Sequence, residues 1–309
     1  MKKRTSIKLI YLAIFLLIFL GLLKYYYYGT DISLYPVKNT ERKYNSQKIW
    51  LISYADKGIY IQNQTNLIAS AAMYQAFDIV TPYQSHHIEP EYYEKHKKIL
   101  SQKRGAGYWL WKPYFILKTL NQMPENDILL YVDGSGVFRD GIYELLNLAQ
   151  EHDIILFPNP ISKNRQWIKK MVIDKMVDGD NSYLDKQSLN AGIILLRNTK
   201  NSRDFIAEWL KNCEDPELLT DIPSPQEYQD FKDHRHDQSI LSILYDKNPQ
   251  KYHLYDPYPA IMKSFIVTRR RNQCSLLHIT FSDRTKFSWL DLRYRFMGWF
   301  LGCQHIKMD

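Results

Sequence analysis

Cysteine is scarce in this chain: Cys213, Cys274 and Cys303 are its only three, far apart and without a CxxC pair. That excludes a disulfide framework and a structural zinc site built on thiolates. Zinc-finger spacing, a basic helix followed by heptads and an aromatic RNA-binding signature are missing too. The net charge of +8 therefore does not point to nucleic acid. It leaves anionic lipid or a phosphorylated small molecule as the partner class. No repeat and no low-complexity tract appears. What is present is a chain of 309 residues, 45% hydrophobic and 24% charged, enough for one large α/β domain or two small ones.

The only long apolar run is at the N-terminus. Lys2, Lys3 and Arg4 precede an almost unbroken apolar stretch from Leu9 to Leu23, which Lys24 closes. Tyr25 to Tyr28 follow where an aromatic interface belt would lie. The run is short for a span, and a cleaved signal peptide is the competing reading. No small-x-small cleavage site follows, so the expectation is an uncleaved, single-pass type II signal anchor with the remaining chain across the membrane. That implies a Golgi or other luminal enzyme in a eukaryote and the inner membrane in a bacterium. Asn63-Gln64-Thr65 is a glycosylation sequon, a pattern that arises easily by chance.

Residues 1–28 thus read as cytoplasmic tail and anchor, 29–47 as a polar stem, and 48–309 as one catalytic domain. Within it, Lys48 to Tyr54, Phe77 to Val80, the DILLYVD run ending at Asp133, Asp153 to Phe157, Ala191 to Leu196 and Ser275 to Thr280 read as strands. Helical spacing covers about Gln62 to Gln75, a segment starting near Lys112 with Pro113 in its first turn, Ser202 to Asn212 and Asp237 to Tyr245. Strands alternating with helices predict an α/β fold with a mostly parallel sheet.

The chemistry concentrates at Tyr131-Val132-Asp133-Gly134-Ser135-Gly136. An apolar strand delivers Asp133 to the carboxyl edge of the sheet, where open α/β folds place ligands. Gly134 and Gly136 permit a tight turn and close approach of a ligand. A carboxylate there suits a divalent metal held against a diphosphate. An ordinary Asp-Gly turn has the same sequence, so this motif does not decide by itself.

GAGYWLWKP, LLYVDGSG, LNAGIILLRNT and HDQSIL, in this order, resemble the nucleotide-diphospho-sugar transferases of the GT-A fold, most of all glycogenin-like (family-eight) enzymes and their capsule-synthesis relatives. The resemblance spans roughly Lys48 to Trp289. It implies a GT-A-like, mostly parallel mixed sheet flanked by helices, a nucleotide-sugar donor and a glycan, lipid or protein acceptor. It also implies a divalent metal, manganese above all, held by Asp133 and His278. Ser135 stands where such enzymes carry the second Asp of Asp-x-Asp, which leaves fewer metal ligands. His278, Lys286 and Trp289 look like a longer-spaced His…Lys…Trp segment, with Lys286 on the donor. Asn190-Ala191-Gly192 is similar to the motif that touches the donor sugar. Asp237, in His236-Asp237-Gln238, is placed by the resemblance near the anomeric carbon, although it reads equally as a helix N-cap. Ser53 and Tyr54 are implied to hold the base.

Trp109, Trp111 and Lys112 open the helix that leads to Asp133. Its N-terminus and the lysine suit a phosphate, and the indoles suit a base, a sugar or simply the core. Lys103 and Arg104 are further cations for the diphosphate. The aromatic content of 14%, with 24 tyrosines, suits stacking walls for sugars. Trp289 to Leu301 reads as an amphipathic helix packed on its own core or on a membrane. A different class competes: a catalytically inactive, membrane-tethered binding or scaffold module, which Ser135 keeps open. A phosphate-directed hydrolase using Asp133 would need a second acid or base close by, for which Asp140 lies near it in sequence. The glycogenin-like cues favour retention of anomeric configuration.

Overall fold

In the computed structural model, which describes residues 14–17, 19, 47–57, 59–138, 142–255 and 265–267, the apolar runs become one six-stranded sheet with two small ladders beside it. The strands in chain order are β1 (Ile49–Tyr54), β2 (Ile79–Tyr83), β3 (Ile128–Val132), β4 (Gly136–Phe138) and β5 (Ile154–Leu156). After them come β6 (Pro158–Lys163), β7 (Gln187–Leu189), β8 (Ile193–Arg197), β9 (His253–Leu254) and β10 (Phe265–Val267). The main sheet has the order β2-β1-β3-β8-β5-β9. β1 runs parallel to β2 and β3, and β5 parallel to β9, whereas β8 is antiparallel to β3 and to β5. The expected mixed, mostly parallel α/β sheet is what forms.

Alternation along the central strands divides the core. On β3, Ile128, Leu130 and Val132 join one apolar layer, and Leu129 and Tyr131 join the other. On β8, Ile193 and Leu195 belong to the first layer, Ile194 and Leu196 to the second. Helix α1 (Ile59–Tyr74) packs Leu67, Ala71 and Tyr74 onto the first layer. Helices α2 (Trp111–Gln122), α3 (Lys200–Cys213) and α4 (Asp237–Lys247) cover the second with Phe115, Ile116, Ile206, Trp209 and Ile240. Burial of each large apolar side chain contributes roughly 1.5–3 kcal/mol, so these layers hold the strand ends in place.

β2 starts at Ile79, two residues later than Phe77. The Asp78 carboxylate accepts a hydrogen bond from the Ile49 amide at 2.8 Å, which ties the entry of β2 to the start of β1. β2 runs on through Pro82 because it lies at the sheet edge, where a missing amide breaks no ladder bond. Asn63 of the sequon is 5% exposed, in the second turn of α1, while Thr65 is exposed. Cys213 is a free, buried thiol.

Residues 14–17 and 19 of the expected anchor are helical and exposed, and the rest of it lies outside the described residues. Among the described residues no helix is long and apolar enough to cross a membrane. Residues 29–46 of the stem, the strand expected at Ser275 to Thr280 and the stretch from Trp289 to Leu301 also lie outside them.

Candidate active site

β3 ends at Val132, so Asp133 is the first residue beyond the strand, on the same side as Tyr131. That i, i+2 relation lets the buried Tyr131 hydroxyl donate to Asp133 Oδ1 at 2.6 Å. The Asp133 amide donates to the Gly192 carbonyl, and the Gly136 amide to the Asp133 carbonyl, which closes the turn. Gly134 and Gly136 do not have the positive φ that a glycine turn suggests. Gly136 is needed for space instead, since a Cβ there would lie 2.7 Å from Val132 Cγ1. Ser135 is half-buried in the turn.

Lys112 enters from the first turn of α2. Pro113 costs that turn no hydrogen bond, because the first helical amides have no intrahelical partner. The lysine is 3% exposed. Its ammonium lies 3.4 Å from Asp133 Oδ1 and 2.9 Å from Asp237 Oδ2, beside the rings of Trp111 and Tyr131. Burial pulls its pKa down, but the carboxylates of Asp133 and Asp237 outweigh that and leave it raised. Burial pushes Asp237 up to about 6, against the pull of Lys112. Asp237 is not an N-cap. It is the first residue of α4, His236 occupies the cap, and the Asp237 side chain is committed to Lys112. Its carbonyl accepts from Trp209 Nε1 at 2.9 Å.

Asn190 reaches the same place from the end of β7. Its Oδ1 accepts from the Gly192 amide at 2.9 Å. A Cβ on Gly192 would lie 2.9 Å from Asp133 Oδ2 and 3.1 Å from Asn190 Oδ1, so both oxygens flank one gap. The fold therefore brings Asp133, Asn190, Lys112 and Asp237 together.

Several expected contacts take another form. Lys112 is enclosed by two carboxylates rather than presented at the helix mouth for a phosphate. Tyr54 and Trp111 stack on each other at 3.9 Å, and Tyr54 also stacks on Phe115 at 5.7 Å, so these rings form a wall whose facing sides are already occupied. Burial raises the Tyr54 pKa well above its ordinary value. Ser53 is buried at the end of β1, and its Oγ makes no hydrogen bond with the protein. Arg104 is taken by Asp221 and Asp233, at 2.9 and 2.6 Å, and Lys103 is exposed. His278 and Lys286 lie outside the described residues.

Sequence reasoning missed three contributors. Tyr131 reads as core, and only its i+2 spacing from Asp133 signals the hydroxyl contact. Gly192 reads as a strand start, yet it makes room for the carboxylate. The segment from Gly105 to Trp109 has positive φ at every residue, a left-handed turn that costs non-glycine residues roughly 1–2 kcal/mol each. Gly107 fits there because its φ is +99° and a Cβ would press on the Leu100 backbone at 2.8 Å. The turn is pinned by Arg104, by the Tyr108 hydroxyl donating to Asp221 at 3.0 Å, and by Trp109 against His236. His236 itself has φ 51°. Strained backbone on both sides of the Lys112–Asp237 pair fits a site whose geometry the surrounding structure imposes.

For a metal, the described residues offer Asp133, whose Oδ2 makes none of the contacts above, with Ser135 in the adjoining turn. No group of three or more metal-capable His, Cys, Asp or Glu side chains occurs among the described residues.

Residues 58–305 match the galactosyl transferase GMA12/MNN10 family. No curated protein matches the chain. Among solved structures, a glycosyltransferase involved in glycosylation of the major capsid of PBCV-1 is similar at 11% identity and TM-score 0.42, over 72% of this chain and 94% of that one. Mouse xyloside xylosyltransferase 1 is similar at 12% identity and TM-score 0.40, over 67% and 85%. The galactosyltransferase LgtC is similar at 16% identity and TM-score 0.38, over 67% and 73%. At such low scores the family match, not the structural likeness, carries the assignment.

Proposed function

We infer the function from family membership: the chain belongs to the galactosyl transferase GMA12/MNN10 family and is a glycosyltransferase. It moves a sugar from a nucleotide-sugar donor to an acceptor. The finer reading is that the donor sugar is a hexose, galactose first, and that the acceptor is a glycan, lipid or protein. The galactosyl cue rests on the family match, and the observation that supports sugar transfer at this site is the meeting of Asp133, Lys112, Asp237 and Asn190 beyond the end of β3.

In this reading Asp237, 3% exposed and paired with Lys112 beneath the site, steadies positive charge developing at the anomeric carbon through its field rather than by touching the sugar. Asn190 holds donor hydroxyls through Nδ2. Asp133 and His278 hold a divalent ion, manganese by resemblance, which when bound neutralises charge on the leaving nucleotide. Ser53 and Tyr54 border the base, and Lys286 grips the donor. The membrane placement, a type II anchor at residues 1–28, rests on the apolar run and its flanking charges.

The test is release of nucleotide from a panel of nucleotide sugars by the detergent-solubilised chain, with and without manganese. Turnover with UDP-galactose, and its loss in Asp133→Ala with the circular dichroism spectrum kept, is the expected result. No turnover with any donor would leave the binding-module reading in its place.

A further inference from the structure

We infer that Lys112 is a positioning residue, a buried internal cation that clamps Asp237 to the strand-end carboxylate, and not a donor-phosphate contact. This rests on the transferase reading and concerns how its site is held.

Asp133 and Asp237 come from separate elements, the end of β3 and α4, the first side chain 37% exposed and the second 5%, and two carboxylates that share one cation repel each other. Opposite charge between them removes the conflict. Lys112 supplies it from a third element, at 3.4 and 2.9 Å. At 3% exposure, with Trp111 and Tyr131 against its ammonium, it has little surface left for a ligand. The Tyr131 hydroxyl and Lys112 both act on Asp133 Oδ1, so the carboxylate is held by one oxygen and keeps Oδ2 on the Gly192 side. Trp209 Nε1 fixes the Asp237 carbonyl from α3. The clamp therefore sets the direction of both carboxylates through one charge.

Three variants of the full chain in detergent decide it: Lys112→Met, Asp237→Asn and the double variant. Each is measured for kcat and KM with UDP-galactose, UDP affinity by calorimetry, and Tm. A positioning lysine gives a kcat in Lys112→Met lower by about tenfold or more, with KM and UDP affinity within about threefold. Its Tm falls by roughly 6 °C or more, as for a buried pair stripped of one partner. Adding Asp237→Asn restores much of that loss, because the stranded carboxylate is neutralised, and the same rescue is expected if Lys112→Met alone does not fold. A lysine that grips the diphosphate instead raises KM and weakens UDP binding tenfold, which overturns the proposal. So does a double variant no more stable than Lys112→Met. Wild-type protein that releases no UDP from UDP-galactose overturns the galactosyl reading and the catalytic role with it. The Tm cycle then still reports separately whether the clamp exists.

Discussion

Gly192→Ala probes the gap shared by Asp133 and Asn190. The new methyl would lie 2.9 Å from Asp133 Oδ2, where ordinary contact begins at 3.4 Å, so the carboxylate must retreat by about 0.5 Å. It cannot do so freely, because Oδ1 is held by Tyr131 at 2.6 Å and lies beside Lys112. Overpacking of this size costs about 1–3 kcal/mol. At about 1.4 kcal/mol per factor of ten, the loss in kcat/KM is about five- to 150-fold if it falls on the transition state. Stability should change less. Gly192 does not have positive φ, so alanine suits the backbone and stiffens the unfolded chain by about 0.4–1 kcal/mol. The assay is nucleotide release at saturating and limiting donor, alongside Tm. A variant that keeps kcat/KM within twofold of wild type would refute the claim that this gap aligns the carboxylate.

Other outcomes follow from the same structure. Asp246 is buried and pushed up to about 6 from an ordinary 3.8, despite Lys186 and the hydrogen bond from Asn164. The folded chain thus holds this proton more tightly than the unfolded one, so stability is lost as pH rises from about 4 through 6. In Asp246→Asn that slope should flatten in denaturation curves taken between those pH values, and an unchanged slope would count against it. Ala106→Gly should raise Tm by a few degrees, since Ala106 has φ 51° and ψ 47°; a lower Tm would show that the left-handed turn is not strained. In a secretory host the folded protein should carry no glycan at Asn63, because the side chain is buried in α1. Mass spectrometry finding that site occupied in folded protein would contradict the placement of α1.

How much was legible in advance depended on how local the cause is. The strand ending at Asp133, the helix opening near Lys112 and the helix opening at Asp237 are written in short apolar patterns, and they form close to where those patterns put them. The partners of each polar side chain are not local. In sequence Lys112 reads as a phosphate ligand because its neighbours are a helix start and two tryptophans, while its neighbours in space are carboxylates 21 and 125 residues away. Arg104 likewise meets Asp221 and Asp233 only after folding.

By itself, then, the sequence determined the strands β1, β2, β3, β5 and β8 and the longer helices, though not the short strands β4, β6, β7, β9 and β10, and that a carboxylate stands beyond the end of a buried strand. Hydrophobic periodicity acts within a few residues, so those features can be read without a fold. Tertiary structure decided which charges meet, which rings cover one another, and that Gly192 is the space beside Asp133. These depend on three elements packing against one sheet edge, and that packing is set by the whole core rather than by any one motif.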